Sequence, residues 1–375
     1  MPPLLVARSR LERHALVLVI GSGSALVLVA MLELARDAPD LLAAYGTSTA
    51  LATVLGLVLV DRGAQMQVQP HTRLRPFLAR RAITGPVLLV ATVVYAAATG
   101  ISLTMSALAA FVVAATALRD IAMIRLASTN VPSLLLSAAA KGVLACALGV
   151  IFLAGEATDG LAIAALLASP LIDVALTLLA IAKPGDVTGG SASDVALPKG
   201  TEYTLAPAAG AAIINVDLLL APQILDAPTA ALYVFWNRVS AAIQLPSDAA
   251  ARKILAQVLP AYPPLTGLAL GTAGATFLAL AITTVTTGHE LSPEHLVAIG
   301  LLSGAAGLRS SNVMMGASLS RTARQRPRFV AMLVTLAAAV VLSASLLPLF
   351  ALLGAALARL GTEAVLSNRY HRAAE

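Results

Sequence analysis

Residues 329–366 read FVAMLVTLAAAVVLSASLL and then PLFALLGAALARLGTEAVL, with Pro348 at the join. Each half is a continuous apolar run rather than an alternating one, so the period is that of a buried helix and not of a strand. At about 1.5 Å per residue, a helix of that length rises close to the ~30 Å of a bilayer's hydrocarbon core. The proline separates two spans laid end to end.

Working outward, the same pattern recurs along the whole chain. The first half gives spans at 14–34, 41–60, 82–101, 103–124, 132–154 and 160–182, and the second at 204–225, 229–245, 265–285, 296–315, 329–347 and 348–366. Hydrophobic residues make up 58% of the 375 and charged residues 12%, about half the share usual in a soluble domain. Mean hydropathy is +0.87. A chain in hydrocarbon must satisfy its backbone internally, and continuous runs exclude the barrel solution, so the expected fold is an all-α polytopic membrane protein of about 12 transmembrane helices. The run after Arg8, Arg10 and Arg13 reaches Leu34, longer than a signal-peptide core, and is expected to be a retained first helix.

The stretch KPGDVTGGSASDVALPKG, 183–200, is the one long segment rich in Gly, Ser and Asp and reads as a connector. It divides the chain into an N-lobe, 1–183, a cytoplasmic linker, 184–203, and a C-lobe, 204–375. Six spans per lobe make any repeat parallel, about an axis normal to the membrane.

Basic residues fall on alternate loops. Arg8, Arg10 and Arg13, the group from Arg62 to Arg81, Arg125, Lys183 and Lys199, Arg252 and Lys253, the group from Arg321 to Arg328, and Arg369 and Arg372 share one side; Arg36 stands alone on the other. Cytoplasmic loops accumulate Lys and Arg, so both termini are expected to be cytoplasmic, in an inner or plasma membrane. The net charge of +6 is explained by these loops, and without a basic aromatic stripe no nucleic-acid partner is expected. Cys146 is the only cysteine, so no intrachain disulfide or cysteine metal site is expected. The five histidines stand at span ends or in loops without metal-ligand spacing, and no metal is expected.

Charges inside spans are costly and point to a cavity or a partner. Lys141 and Arg238 fall near mid-depth; Arg119 and Arg309 lie nearer the cytoplasmic edge, where snorkelling is the competing reading. Together the four could line a cavity that attracts a phosphate or diphosphate. Asp173 follows Pro170, and Asp217 follows Asn215 and precedes Pro222, so these are candidates for H+ or Na+ coupling, or for structural salt bridges. Arg359 and Glu363 are four apart and should neutralise each other. Gly267 and Gly271 form a GxxxG pair expected at a helix contact, and Trp236 is expected to pack. No nucleophile elbow, P-loop or HExxH string occurs, so no enzymatic activity and no organic cofactor is expected, and transport would draw on a gradient or a partner.

Several stretches resemble the polysaccharide transporter branch of the multidrug, oligosaccharidyl-lipid and polysaccharide exporter superfamily, the O-antigen flippases. LAAYGTSTALATVLGLVLVDRGAQMQVQ resembles that family's second helix, with Tyr45, Gly46, Asp61 and Gly63 at its recurring places. FVVAATALRDIAMIRLASTNVPSLLLSAAAKGVLACALG is similar to the fourth and fifth helices, joined at Arg125. NVDLLLAPQILDAPTAALYVFWNRVSAAIQL resembles the seventh and eighth, with Asp217, Tyr233 and Arg238, and Gly354, Ala355 and Ala356 match a frequent Gly-Ala-Ala in the last. The chain departs in its minimal loops and in AALY where a Gly commonly precedes the Tyr.

The resemblance implies two MATE-like six-helix lobes in a V that rock between inward-open and outward-open states. It also implies a polyprenyl-diphosphate-linked glycan as substrate, carried in O-antigen, capsule or exopolysaccharide export. The partners implied are the lipid bilayer, a polysaccharide polymerase and glycosyltransferases. Two alternatives stand beside the flippase: a cation-coupled multidrug antiporter of the same superfamily, disfavoured by only 4% aromatic residues, and a membrane assembly subunit that translocates nothing.

Overall fold

The computed structural model describes residues 37–59, 75–115, 201–244, 265–286, 292–322 and 324–375, with a few isolated positions between them. These segments are helical, with no strand among the described residues. They comprise α1 (Pro39–Leu59), α2 (Arg75–Thr99), α3 (Thr201–Ile224), α4 (Ala227–Ile243), α5 (Thr266–Thr286), α6 (Pro293–Arg321) and α7 (Gln325–Ala374); a further stretch runs Leu103–Ala115. Of these, α6 and α7 are long and apolar enough to cross a membrane by length and composition.

Hydroxyl side chains within the helices mostly bond back to their own ladder. Thr47, Thr92, Ser303, Ser318 and Thr335 each donate to the carbonyl four residues earlier at 2.8–2.9 Å. That habit lets small polar residues sit in apolar surroundings without an orphaned donor.

As a single rod, α7 would be ~75 Å long. It instead folds back: Ala351 has φ 45° and ψ −121°, and Arg324 Nη1 reaches the Ala373 carbonyl at 2.8 Å. The Leu342 side chain lies against Gly361. Two antiparallel arms therefore meet at a tight turn beside Pro348, as the sequence expects at that proline. Gly354 is required there, because a Cβ on it would collide with the carbonyl of Leu346.

On two helices the exposure is partly inverted relative to a protein in water. On α2 the exposed side chains include Ile83 (69%), Val87, Val90 (62%) and Val94, whereas Leu88, Thr92 and Ala96 are buried. On the first arm of α7, Val330, Leu333, Val334, Val340 and Val341 face out while Ala331, Thr335, Ala339 and Ser343 face in. Met332 and Leu347 are buried on the same arm, but faces of large apolar groups left exposed along whole helices suit hydrocarbon as solvent.

By contact, the chain separates into two compact units, one of Met1–Leu41 with Leu59–Pro198 and the other of Leu42–Val58 with Lys199–Glu375. In the second unit, Ala206, Ala209 and Ile213 of α3, Met315 and Leu319 of α6, and Ala331, Met332, Leu366 and Tyr370 of α7 form a buried core. Most of α1 belongs to this unit, and Gly46 on it lies directly against the Val234 side chain of α4.

Boundaries of four helices and one contact differ from the sequence expectations. Helix α2 starts at Arg75, seven residues before the expected 82, so Arg75, Arg80 and Arg81 belong to the helix rather than to the loop before it. Helix α6 begins at Pro293, capped by Ser292, and runs to Arg321, past the expected 315; α3 and α4 begin a few residues early. Gly271 faces open space, so the GxxxG reading fails there; the close α5–α6 approach is instead at Gly307, whose Cβ position would lie 2.8 Å from the Ala269 carbonyl and 3.0 Å from the Ala273 side chain. The expected spans at 132–154 and 160–182, most of 14–34 and the connector at 183–200 lie outside the described residues.

Candidate functional site

A polar network crosses the interior of the second unit. Asp217 on α3 is buried, accepts the hydroxyl of Tyr233 from α4 and takes the Leu218 amide on Oδ1 at 2.8 Å. Arg359, on the second arm of α7, places Nη1 3.2 Å from Asp217 Oδ2 and 2.5 Å from the Ile214 carbonyl. Its Nε lies 4.0 Å from Glu363 Oε1. Asn312 of α6 completes the chain, donating through Nδ2 to both the side-chain Oε2 and the backbone carbonyl of Glu363 at 2.9 Å.

Two hairpins set this register. Asp217 and Tyr233 each stand eight positions from Leu225, on either side of the α3–α4 turn, and Arg359 stands eight positions past Ala351. Eight residues of helix rise about 12 Å, so all three meet at one level, about two turns in from the hairpin ends. Two carboxylates share one guanidinium. Buried charges persist only where partners replace water.

A second feature lies on α4. Tyr233, Asn237 and Ser240 share one face of α4, Gln244 and Ser247 follow at the same three-and-four spacing just beyond its end at Ile243, and every one is buried. Unlike the back-bonded hydroxyls elsewhere, Ser240 Oγ and Ser247 Oγ are buried without a hydrogen-bond partner among the described residues, as is Trp236 Nε1 on the same helix. The Trp236 ring packs edge-on against His295, 5.8 Å between centroids. Arg238 borders this face; it is half-buried and makes no hydrogen bond or ion pair among the described residues.

The sequence candidates divide accordingly. Asp217 joins the network, as does Arg359, which reaches closer to Asp217 than to the Glu363 expected to neutralise it. Asn215 does not join; its Nδ2 donates to the Ala211 carbonyl at 2.8 Å within its own helix. Arg238 borders the polar face and Arg309 lies half-buried on α6. Lys141, Arg119 and Asp173 lie outside the described residues. The residues that sequence reading passed over are Asn237, Ser240, Gln244 and Ser247, and the available signal was their three-and-four spacing inside an apolar run.

No protein-family model matches the sequence, and no curated protein does. Among solved structures the chain is similar to the eukaryotic MATE transporter AtDTX14, with a TM-score of 0.48 and 12% identity over 98% of each chain. It is also similar to the Vibrio cholerae MATE transporter VcmN in its bent form, with a TM-score of 0.38 and 12% identity over 96% of each. Likenesses this distant leave the functional reading to the chain's own residues.

Proposed function

We propose that this chain is a multi-pass membrane transporter that flips a lipid-linked oligosaccharide, its sugars hydrogen-bonded along α4 and its diphosphate drawn to Arg238. The inverted exposure of α2 and α7 supports the membrane setting. The observation that carries the substrate class is the buried polar face of α4 with its three unpartnered hydrogen-bonding atoms. Each such atom costs about 1–3 kcal/mol if left unsatisfied, and a row of Asn, Ser, Gln and Trp beside a guanidinium matches the hydroxyls and phosphates of a glycosyl diphosphate. The polyprenyl tail would stay in the bilayer, and alternating access would spare the charged head its burial in hydrocarbon.

The two buried carboxylates that share Arg359 support a second reading, a cation-coupled antiporter for amphiphilic cations. One reconstitution separates them. Proteoliposomes carrying the purified chain and a polyprenyl-diphosphate trisaccharide are exposed to an external glycosidase. The flippase renders the inner-leaflet half of the substrate cleavable, and Arg238→Gln slows this severalfold. No exchange above protein-free vesicles, together with pH-gradient-driven uptake of a cationic dye, would establish the antiporter instead.

A further inference from the structure

The open end of the α7 hairpin carries a feature that the transport reading does not use. Between its two arms lies a groove of about 370 Å3, lined by Arg326, Val330 and Val334 from the first arm and by Arg369 and Arg372 from the second. Arg326, Val330 and Val334 follow one another at four-residue spacing and so form a stripe that passes from charge to hydrocarbon along one helix face. All five side chains are exposed.

The arginines of this end are not alike. Arg324 is tied to the Ala373 carbonyl at 2.8 Å and Arg328 to Ser320 Oγ at 2.7 Å. Arg326, Arg369 and Arg372 make no hydrogen bond or ion pair among the described residues. Glu363 is the one acid within α7, and it is held by Arg359 and Asn312. Three free guanidinium groups therefore frame one concavity, on the side of the chain where its basic loops accumulate.

We propose that this groove binds an anionic glycerophospholipid, its phosphate held by Arg326, Arg369 and Arg372 and one acyl chain laid along Val330 and Val334. A guanidinium cluster recognises phosphate through paired N–H donors, and basic pockets between spans on the cytoplasmic side are suited to anionic head groups. The apolar stripe selects a lipid over a free anion, because it continues into the exposed apolar face of the first arm, which includes Leu333, Val340 and Val341. The groove and the α4 face use no residue in common, so this site rests on the membrane setting alone and not on flippase activity.

The test uses the purified full chain in detergent, with native mass spectrometry counting adducts of dioleoylphosphatidylglycerol, dioleoylphosphatidylcholine and inorganic phosphate. Phosphatidylglycerol binds in preference to phosphatidylcholine, and the triple substitution R326Q/R369Q/R372Q lowers its apparent affinity roughly a hundredfold. Because all three side chains are exposed, the triple variant keeps the parent's thermal midpoint and elution volume. Val330→Asp, which leaves the arginines in place, also loses the lipid. Equal retention of the two lipids, unchanged binding by the triple variant, or displacement of phosphatidylglycerol by equimolar inorganic phosphate would overturn the proposal. A membrane-inserted chain without lipid preference refutes this site alone, whereas recovery of the chain in the soluble fraction refutes the membrane setting and the site together.

Discussion

Arg359 serves two carboxylates at once, and the consequences follow from where it sits. Removing one partner of a buried pair typically costs about 3–5 kcal/mol, because the remaining charge has no water to turn to. Arg359→Met is expected to destabilise the chain by that order, read as a fall in the thermal midpoint in detergent. Asp217→Asn in the same chain should recover part of the loss, giving a coupling of at least about 1 kcal/mol in a double-mutant cycle; strictly additive effects would mean that the pair is not formed. Ser240 gives the opposite expectation. Its hydroxyl has no partner among the described residues, so Ser240→Ala should leave stability unchanged or raise it by up to about 1–3 kcal/mol while slowing glycan exchange in proteoliposomes. Arg359 and Glu363 were legible as a pair from their spacing of four, but Asp217 lies 142 positions from Arg359, and no local rule joins residues so far apart. The polar face of α4 was legible in principle; charged residues nearby drew attention from neutral ones that share a face.

Within and between helices, three glycines that look alike in the sequence have different surroundings. Gly307 lies against the α5 backbone, Gly354 sits under the Leu346 carbonyl, and Gly271 meets nothing within 4 Å. Gly271→Ala is therefore expected to be neutral or stabilising by up to ~1 kcal/mol through helix propensity. Gly307→Val and Gly354→Val should each cost about 1–3 kcal/mol or more, since backbone rather than a flexible side chain must give way. Thermal unfolding of the three variants side by side decides this, and equal effects at all three would contradict the packing described. Apolar helices carry small residues on every face, so spacing alone could not say which face meets a neighbour. That is why the GxxxG spacing misled at Gly271, while Pro348 marked the neighbourhood of the α7 turn.

For the molecule as a whole, the expectation concerns sidedness. With Cys146 replaced by serine, a cysteine placed at Thr322 should react with a membrane-impermeant thiol reagent only from the cytoplasmic face, and one placed at Asp226 only from the opposite face. Labelling of both from one side would break the alternation of basic loops on which the topology rests. The sequence by itself determined the helical class and the turn beside Pro348, because these depend on run length, composition and a helix-breaking residue, properties local to each segment. The tertiary structure alone decided that Asp217, Tyr233 and Arg359 share one depth, that Asn312 closes the network, and that three arginines from two arms frame one groove. Those outcomes depend on the rotation and register of one helix against another, and such geometry is fixed by contacts between residues far apart in the chain.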